Sequence, residues 1–206
     1  MRNRLIVMAR APRYGVGKRR LAAGAGELAA WRFQRINLSR LLRRLGRDPR
    51  WQLSVAVTPD DGALPRDAGR IARQPQGRGD LGARMGRALS AAPGGPTILI
   101  GADIPAISPA EIARAFQLLG GNDWVFGPAE DGGYWLIGAR RRPHLRLPFA
   151  GVRWSHPDTL ADTLANLKTK RVAFVAQLAD VDEVSDLRGL DVGVSRLVSN
   201  APAAAA

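Results

Sequence analysis

Thr97-Ile98-Leu99-Ile100-Gly101-Ala102-Asp103-Ile104-Pro105-Ala106-Ile107-Ser108 is the stretch around which this chain is organised. Thr97–Ile100 is a short β-branched and apolar run, bounded by Pro96 and Gly101. Such a run predicts a strand buried on both faces, as in the middle of a parallel sheet. Asp103 follows at its carboxyl end, just before Pro105 breaks the chain. Ser108, Pro109 and Glu111 then carry the marks of a helix start: an N-cap, a proline at the first helical position and an acid at the third. Asp103 therefore sits in the crevice beyond the strand ends, where open α/β sheets place their ligands. An aspartate that merely caps a loop is the plainer reading. Its company elsewhere in the chain weighs against that.

The chain before this stretch repeats the same recipe. Leu5–Ala9 predicts a first strand, and Arg10–Arg20 is a glycine-punctuated basic loop carrying Pro12, Gly15, Gly17 and Lys18. A helix is expected from Glu27 to Leu45, with Gly46 as its cap. Strand, basic loop and helix together form phosphate sites, because amide N–H groups and cationic side chains converge there. The loop is not a Walker A sequence, since it lacks the first glycine and the trailing Ser or Thr, and taken alone it reads at least as well as a merely solvated basic loop. Trp51–Thr58 reads as a second strand and Arg70–Gln74 as a short third one. Asp80 is the expected N-cap of a helix over Leu81–Ala91, and the loop before it, Gln74–Asp80, reads equally as a reader of a nucleobase edge through Gln76 and as an ordinary surface loop.

Beyond the central helix, Asp123–Pro128 predicts another buried strand. Asp131-Gly132-Gly133 allows a ligand to lie against bare backbone, and Tyr134–Ile137 re-enters the sheet. A hairpin turn needs the same residues. A helix is expected over Pro157–Leu167, capped by Ser155 or His156, and a last strand over Arg171–Leu178. Asp180 and Asp182 alternate, so both carboxylates share a side if that segment is extended. Asp186-Leu187 is read as opening a final helical turn, and 193–206 as a frayed alanine-rich tail.

Composition narrows the function classes. With 206 residues, 46% apolar and 24% charged, the chain reads as one domain over 1–192. No apolar stretch approaches the roughly 20 residues of a membrane span, and Leu5–Ala9 is too short for a signal-peptide core, which points to a cytoplasmic protein. Absent cysteine excludes disulfides and thiolate metal sites. The net charge of +13 raises nucleic acid as a partner. Yet only Lys18, Lys168 and Lys170 are lysines among 31 basic residues, the arginines are scattered, and no run of aromatics lies among them. A surface suited to anionic small molecules is the cheaper explanation, with no specific nucleic-acid binding.

Taken together, residues 4–190 resemble the bacterial proteins of the nucleotide-diphospho-sugar transferase (GT-A) superfamily, often labelled glycosyltransferases and associated with radical-SAM and arsenosugar gene neighbourhoods. The matching segments are Ala9-Arg10-Ala11-Pro12-x-x-Gly15-x-x-Lys18-x-Arg20-Leu21, then Gln76-Gly77-x-Gly79-Asp80-Leu81-Gly82-x-Arg84-Met85, then Ile100-Gly101-x-Asp103-x-Pro105. They continue with Gly127-Pro128-Ala129-x-Asp131-Gly132-Gly133-Tyr134-x-Leu136-Ile137-Gly138, Trp154-Ser155 and Asp180-x-Asp182. More faintly, the chain is similar to guanylyltransferases acting on phospholactate or molybdopterin.

The resemblance implies a three-layer α/β/α GT-A-like domain with a mostly parallel sheet. It implies that Arg10, Gly15, Lys18, Arg20, Gln76 and Gly77 bind a nucleotide. It places Asp103, Asp180 and Asp182 on Mg²⁺ or Mn²⁺, with Asp103 and Asp131 catalytic and Gly132, Gly133, Tyr134 and Trp154 facing an acceptor. Two departures stand out. Gly17-Lys18-Arg19-Arg20 replaces the valine and threonine usual around the lysine, and Asp103-Ile104-Pro105 offers one carboxylate where many glycosyltransferases have D-x-D. The implied activity is glycosyl transfer from a nucleotide sugar to a small-molecule acceptor. The alternatives are nucleotidyl transfer from a nucleoside triphosphate to a small phosphorylated acceptor, and nucleotide binding without catalysis. The basic loop mildly favours the triphosphate; intact Asp103, Asp180 and Asp182 speak against a decayed site.

Overall fold

Alternation along each central strand sends neighbouring side chains to opposite faces of one sheet, and this sets the layers. The structure is a computed structural model that describes residues 2–141, 145–183 and 185–186. β1 (Arg4–Arg10), β2 (Gln52–Thr58), β3 (Ala72–Pro75), β4 (Gly95–Gly101), β5 (Trp124–Pro128), β6 (Tyr134–Arg141) and β7 (Val172–Phe174) form a sheet ordered β3-β2-β1-β4-β6-β5-β7. β1 lies parallel to β2 and β4, β2 to β3, and β5 to β7; β6 alone runs antiparallel, between β4 and β5. The expected three runs, Leu5–Ala9, Ile98–Ile100 and Trp124–Phe126, are all buried strands.

Leu5 and Val7 of β1, with Ile98 and Ile100 of β4, face α2 (Glu27–Gly46) and α4 (Pro109–Leu119) through Leu38, Leu41, Leu42, Ile112 and Phe116. Ile6, Leu99 and Phe126 point the other way, onto α3 (Leu81–Ala91) and α5 (Thr159–Ala165), through Met85, Leu89, Leu160 and Leu164. Each fully buried Leu or Ile stabilises this arrangement by roughly 1.5–3 kcal/mol. The result is a three-layer α/β/α fold with a mostly parallel sheet.

Local signals explain most helix ends. Asp80 accepts from the Ala83 amide at 2.7 Å, and Ser108 accepts from the Glu111 amide at 3.3 Å. Several boundaries differ from expectation: Gly46, expected to cap α2, is its last helical residue with Arg47 as the cap, and β3 lies at Ala72–Pro75 instead of Arg70–Gln74. Arg19–Ala25 is a helix of its own, α1, where a loop through Arg20 is expected. Gly26, at φ 86°, ends α1 and starts α2, so a single glycine turns one helix into the next. Leu21 docks α1 onto Phe33 and Val181. The helix expected from Pro157 begins at Thr159 with Asp158 at its cap, not Ser155 or His156. The Thr159 hydroxyl lies 2.7 Å from both the Arg153 and His156 carbonyls and ties up the preceding turn. The last strand is shorter than 171–178, because the Ala176 carbonyl turns away to accept from the Trp135 indole at 3.0 Å. The expected tail at 193–206 and Leu187 lie outside the described residues.

The β5–β6 hairpin depends on Gly132, at φ 83°. A Cβ there would run into the Pro157 carbonyl, while the Leu160 amide donates to the Gly132 carbonyl at 3.0 Å. Gly132→Ala should destabilise the protein by about 2–4 kcal/mol in urea unfolding, combining positive-φ strain with a backbone clash. Gly94→Ala, where a Cβ meets nothing within 4 Å, should stay within about 0.5 kcal/mol of wild type.

Candidate active site

Every strand except β6 delivers its carboxyl end to the same edge of the sheet, and the hairpin turn 129–133 joins β5 to β6 there. Asp103 leaves β4 into a short loop pinned from beneath by buried Ile104 and Ile107. Two residues of α2 hold that loop from the side. The Asn37 amide donates to the Ala102 carbonyl at 2.8 Å, and Arg44 donates to the Pro105 carbonyl at 2.9 Å. The Asp103 carboxylate itself stays 64% exposed.

Lys18 comes to it from the β1 side. Its backbone is left-handed, at φ 44°, and its side chain is only 7% exposed. The ammonium donates to Asp182 Oδ1 at 2.8 Å and lies 3.8 Å from Asp103 Oδ2. Arg20 Nη1 reaches within 4.0 Å of Asp182. Val181 is buried against α1 and α2, which anchors the run carrying Asp180 and Asp182. Asp186 fastens the end of that run by accepting from the Asp182 and Glu183 amides at 2.9 and 2.7 Å. Those two bonds, Glu183 first, hold the Asp186 carboxyl below its ordinary value. Burial pushes the Asp180 carboxyl up, and nearby Asp182 and Asp131 add to this against the opposing charge of Lys18. The lysine is therefore no solvated loop cation: it neutralises an acidic cluster.

Two hollows meet at Asp103. One is a cleft of about 410 Å³ whose walls include Arg10, Lys18, Arg19 and Arg20, with Gln34 and Leu38. The other, about 250 Å³, is walled by apolar and aromatic side chains such as Met85 and Trp154, with Asp131 and Asp180 among its polar groups. Asp103 lines both.

Several expected site residues are placed elsewhere or used otherwise. Gln76 is 5% exposed, and its amide donates to the Ala9 and Ala56 carbonyls at 3.1 and 2.8 Å. It clasps the ends of β1 and β2, and that amide nitrogen is not offered to a base. The Gly77 amide donates to Asp60 at 2.9 Å. Gly15 faces a neighbouring hollow with Arg13 and Trp31 instead of the Lys18 cleft. Gly132 is packed on Pro157, not bare to a ligand. Asp131 accepts from the Gly133 amide at 2.9 Å, as a turn aspartate does, while still lining the smaller hollow. Tyr134 packs edge-on to Phe126 at 5.3 Å, its hydroxyl is buried beside Thr163, and burial raises its pKa well above the ordinary phenol value. Asn37 and Arg44 are positioning residues absent from the sequence reading, and Asp186, read there only as the start of a helical turn, is a third. A lone amide on the apolar face of α2 is the one signal that could have found Asn37.

The expected sharing of one cation by Asp103, Asp180 and Asp182 is not what the side chains show. Lys18 stands between two of them, and among the described residues no three acids or histidines are grouped closely enough to hold a metal. The donor set still suits a hard divalent ion bound with a nucleotide. Mg²⁺ is commonly held by one or two carboxylates and completed by phosphate oxygens and water.

Asp180→Asn tests the electrostatics directly. A carboxyl whose folded value is raised binds its proton more tightly folded than unfolded, so it costs stability once pH exceeds that folded value. The variant should be more stable than wild type at neutral pH. The difference should shrink as pH falls through the raised value and vanish below the ordinary carboxylate range, as followed by urea unfolding against pH.

Among solved structures, a candidate nucleotide-diphospho-sugar transferase from Desulfovibrio desulfuricans G20 matches with TM-score 0.84 and 26% identity, over 97% of this chain and 95% of that one. The 4-diphosphocytidyl-2C-methyl-D-erythritol synthase from Anaerococcus prevotii DSM 20548 shares the fold, with TM-score 0.60 and 12% identity over 96% of each chain. So does glucosyl-3-phosphoglycerate synthase from Mycobacterium tuberculosis, with TM-score 0.57 and 16% identity over 96% of this chain and 77% of that one. The GT-A-like fold of nucleotide-sugar transferases and nucleotidyltransferases is thus the fold of this chain. A search of curated proteins found no sequence match. One family model matches residues 41–156, more than half the chain, and by that match the protein belongs to the family described as "Uncharacterized protein conserved in bacteria (DUF2064)".

Proposed function

We propose that residues 1–192 act as one nucleotide-dependent transferase domain that moves a glycosyl group from a nucleotide sugar to a small acceptor. The observation that carries this reading is the position of Asp103 on the shared wall of a basic cleft and an aromatic pocket. A donor rich in phosphate fits the first, an acceptor fits the second, and the reacting bond falls between them.

Arg10, Lys18 and Arg20 meet the diphosphate in this scheme. The Lys18 ammonium has three N–H donors, and the 2.8 Å bond to Asp182 uses one of them. Asp103, alone or with one of Asp180 and Asp182, would hold a divalent cation against the phosphates. When bound, that ion supplies charge stabilisation for the leaving group. The bond from the anomeric carbon to the phosphate oxygen breaks, and its electron pair leaves with the nucleoside diphosphate. An acceptor lone pair forms the new bond to that carbon, and its proton passes to the free oxygen of Asp131. Catalysis here is positioning and electrostatics.

A second reading is nucleotidyl transfer with release of pyrophosphate. Four basic side chains on one cleft favour it, since a triphosphate carries more charge than a diphosphate ester. Thermal shift separates the two readings. Nucleotide sugars and nucleoside triphosphates are each titrated with and without Mg²⁺ or Mn²⁺. A ligand at a hundredfold excess over Kd stabilises by about 2.7 kcal/mol, or roughly 5–10 °C in this size range. Greater stabilisation by nucleotide sugars is expected, greater stabilisation by triphosphates selects the second reading, and none by either defeats both.

Two variants locate the effect. Asp103→Asn should remove the metal-dependent part of the shift while leaving the fold intact. Lys18→Ala should weaken nucleotide binding by about tenfold or more. It should also lower stability, because it strands the carboxylates that the buried ammonium neutralises.

A further inference from the structure

The smaller hollow has a charge character opposite to that of the cleft beside it. Its body is apolar, built from side chains such as Met85, Ile104 and Trp154. Its acids are Asp103, Asp131 and Asp180, and among the described residues that line it there is no lysine or arginine. His156 is its one basic side chain, and that ring faces Asp158: Nδ1 accepts from the Asp158 amide at 3.1 Å and lies 3.5 Å from the Asp158 carboxylate. The cations adjoining the pocket are already engaged. Arg153, next to Trp154, pairs with Asp158 at 3.0 Å and Asp162 at 2.9 Å. Lys18 is held by Asp182 and Asp103.

A phosphate or carboxylate entering this pocket would lose hydration against Asp131 and whichever of Asp103 and Asp180 no cation engages, and would meet no lysine or arginine among the described residues that line it. A hydroxyl or an amine would meet carboxylate oxygens able to accept its hydrogen bonds, and an apolar body would cover the aromatic wall. We propose that the acceptor is a small molecule with an apolar or aromatic body that carries a hydroxyl or amine and no phosphate or carboxylate. This rests on reading the pocket as the acceptor side of the proposed transferase. It divides the site into an anion half and a half that rejects anions, and it counts against a phosphorylated acceptor.

Three probes sharing one ring separate charge from shape: tyramine, tyrosol and para-hydroxyphenylacetate. Their affinities are measured by saturation-transfer NMR titration, beside the nucleotide thermal shifts on the same protein. Tyramine and tyrosol should bind, and para-hydroxyphenylacetate should bind at least about tenfold more weakly. Asp131→Asn keeps the oxygen that accepts from Gly133 and removes one charge, so it should narrow that gap. Leu81→Arg places a cation on the rim at a residue already 45% exposed and should favour the carboxylate probe.

Equal or tighter binding of the carboxylate by wild type overturns the proposal. So does failure of all three probes to bind while nucleotides still stabilise the protein, or binding that Leu81→Arg leaves unchanged. Selective binding of the amine and alcohol without any nucleotide stabilisation supports the pocket's charge selection and defeats the donor reading instead.

Discussion

The parallel pairing of β1 with β4 is the constraint from which the rest follows. Leu5 sits opposite Ile98 and Val7 opposite Ile100, so the two strands end together and release their loops at one edge of the sheet. The β1 exit carries Arg10 and, after the glycine-bearing turn, Lys18; the β4 exit carries Asp103. An antiparallel pairing of the same residues would have put the lysine and the aspartate at opposite ends of two seven-residue strands. At about 3.3 Å per residue that is a separation on the order of 20 Å. Direction, more than any single contact, makes a joint site possible.

Charge then decides how the loops settle. Lys18 meets Asp182 across 164 positions of chain and brings the segment after β7 against the loop after β1. Two other features make that contact durable. Val181 turns inward between the two acids and packs on Leu21 and Phe33, and Asp186 accepts the amides of residues 182 and 183. The half-exposed Asp182 alone would contribute little, as exposed ion pairs do. What distinguishes this pair is the burial of its ammonium, which has given up water and must find carboxylates. The same need explains why a lysine stands where three carboxylates were expected to share an ion.

Elements whose cause is local were legible in the sequence, and those whose cause is distant were not. Thr97–Ile100 and the Ser108 and Asp80 caps each have their reason within a few residues and fold as read, and of the two readings of Asp131-Gly132-Gly133 the hairpin turn is the one that forms. The gathering of Asp103 and Asp182 was legible only through the family resemblance, which implies one metal site for both. Gln76 shows the opposite case. Its glycine-rich surroundings suggest a ligand loop, yet two backbone carbonyls from β1 and β2, 67 and 20 positions away, capture its amide. Asn37 and Arg44 were missed for the same reason, since a helix read by its apolar face gives no hint that its polar residues brace a loop some 60 positions later. α1 escaped because Gly26 breaks the helical period within about a turn and a half of Leu21.

The composition of the chain gives the acidic cluster its weight. Arginine is abundant in every segment, so basic residues in the cleft could follow from composition alone. Acids are the scarce residues, 18 against 31 lysines and arginines, and a random scatter would leave most of them beside a cation. Asp103 and Asp182 do meet Lys18, yet Asp103, Asp131, Asp180 and Asp182 come from three different loops to one edge, where burial first, and then Asp182 and Asp131, disfavour ionisation of Asp180. Folding gains nothing from such crowding: like charges raise the free energy of the native state, and Lys18 offsets only part of that. An arrangement that opposes both composition and stability is the kind found where a protein handles charge in a reaction or a ligand. In this fold it falls at the seam between a hollow that attracts anions and one that repels them. Asp103 is the residue both hollows share.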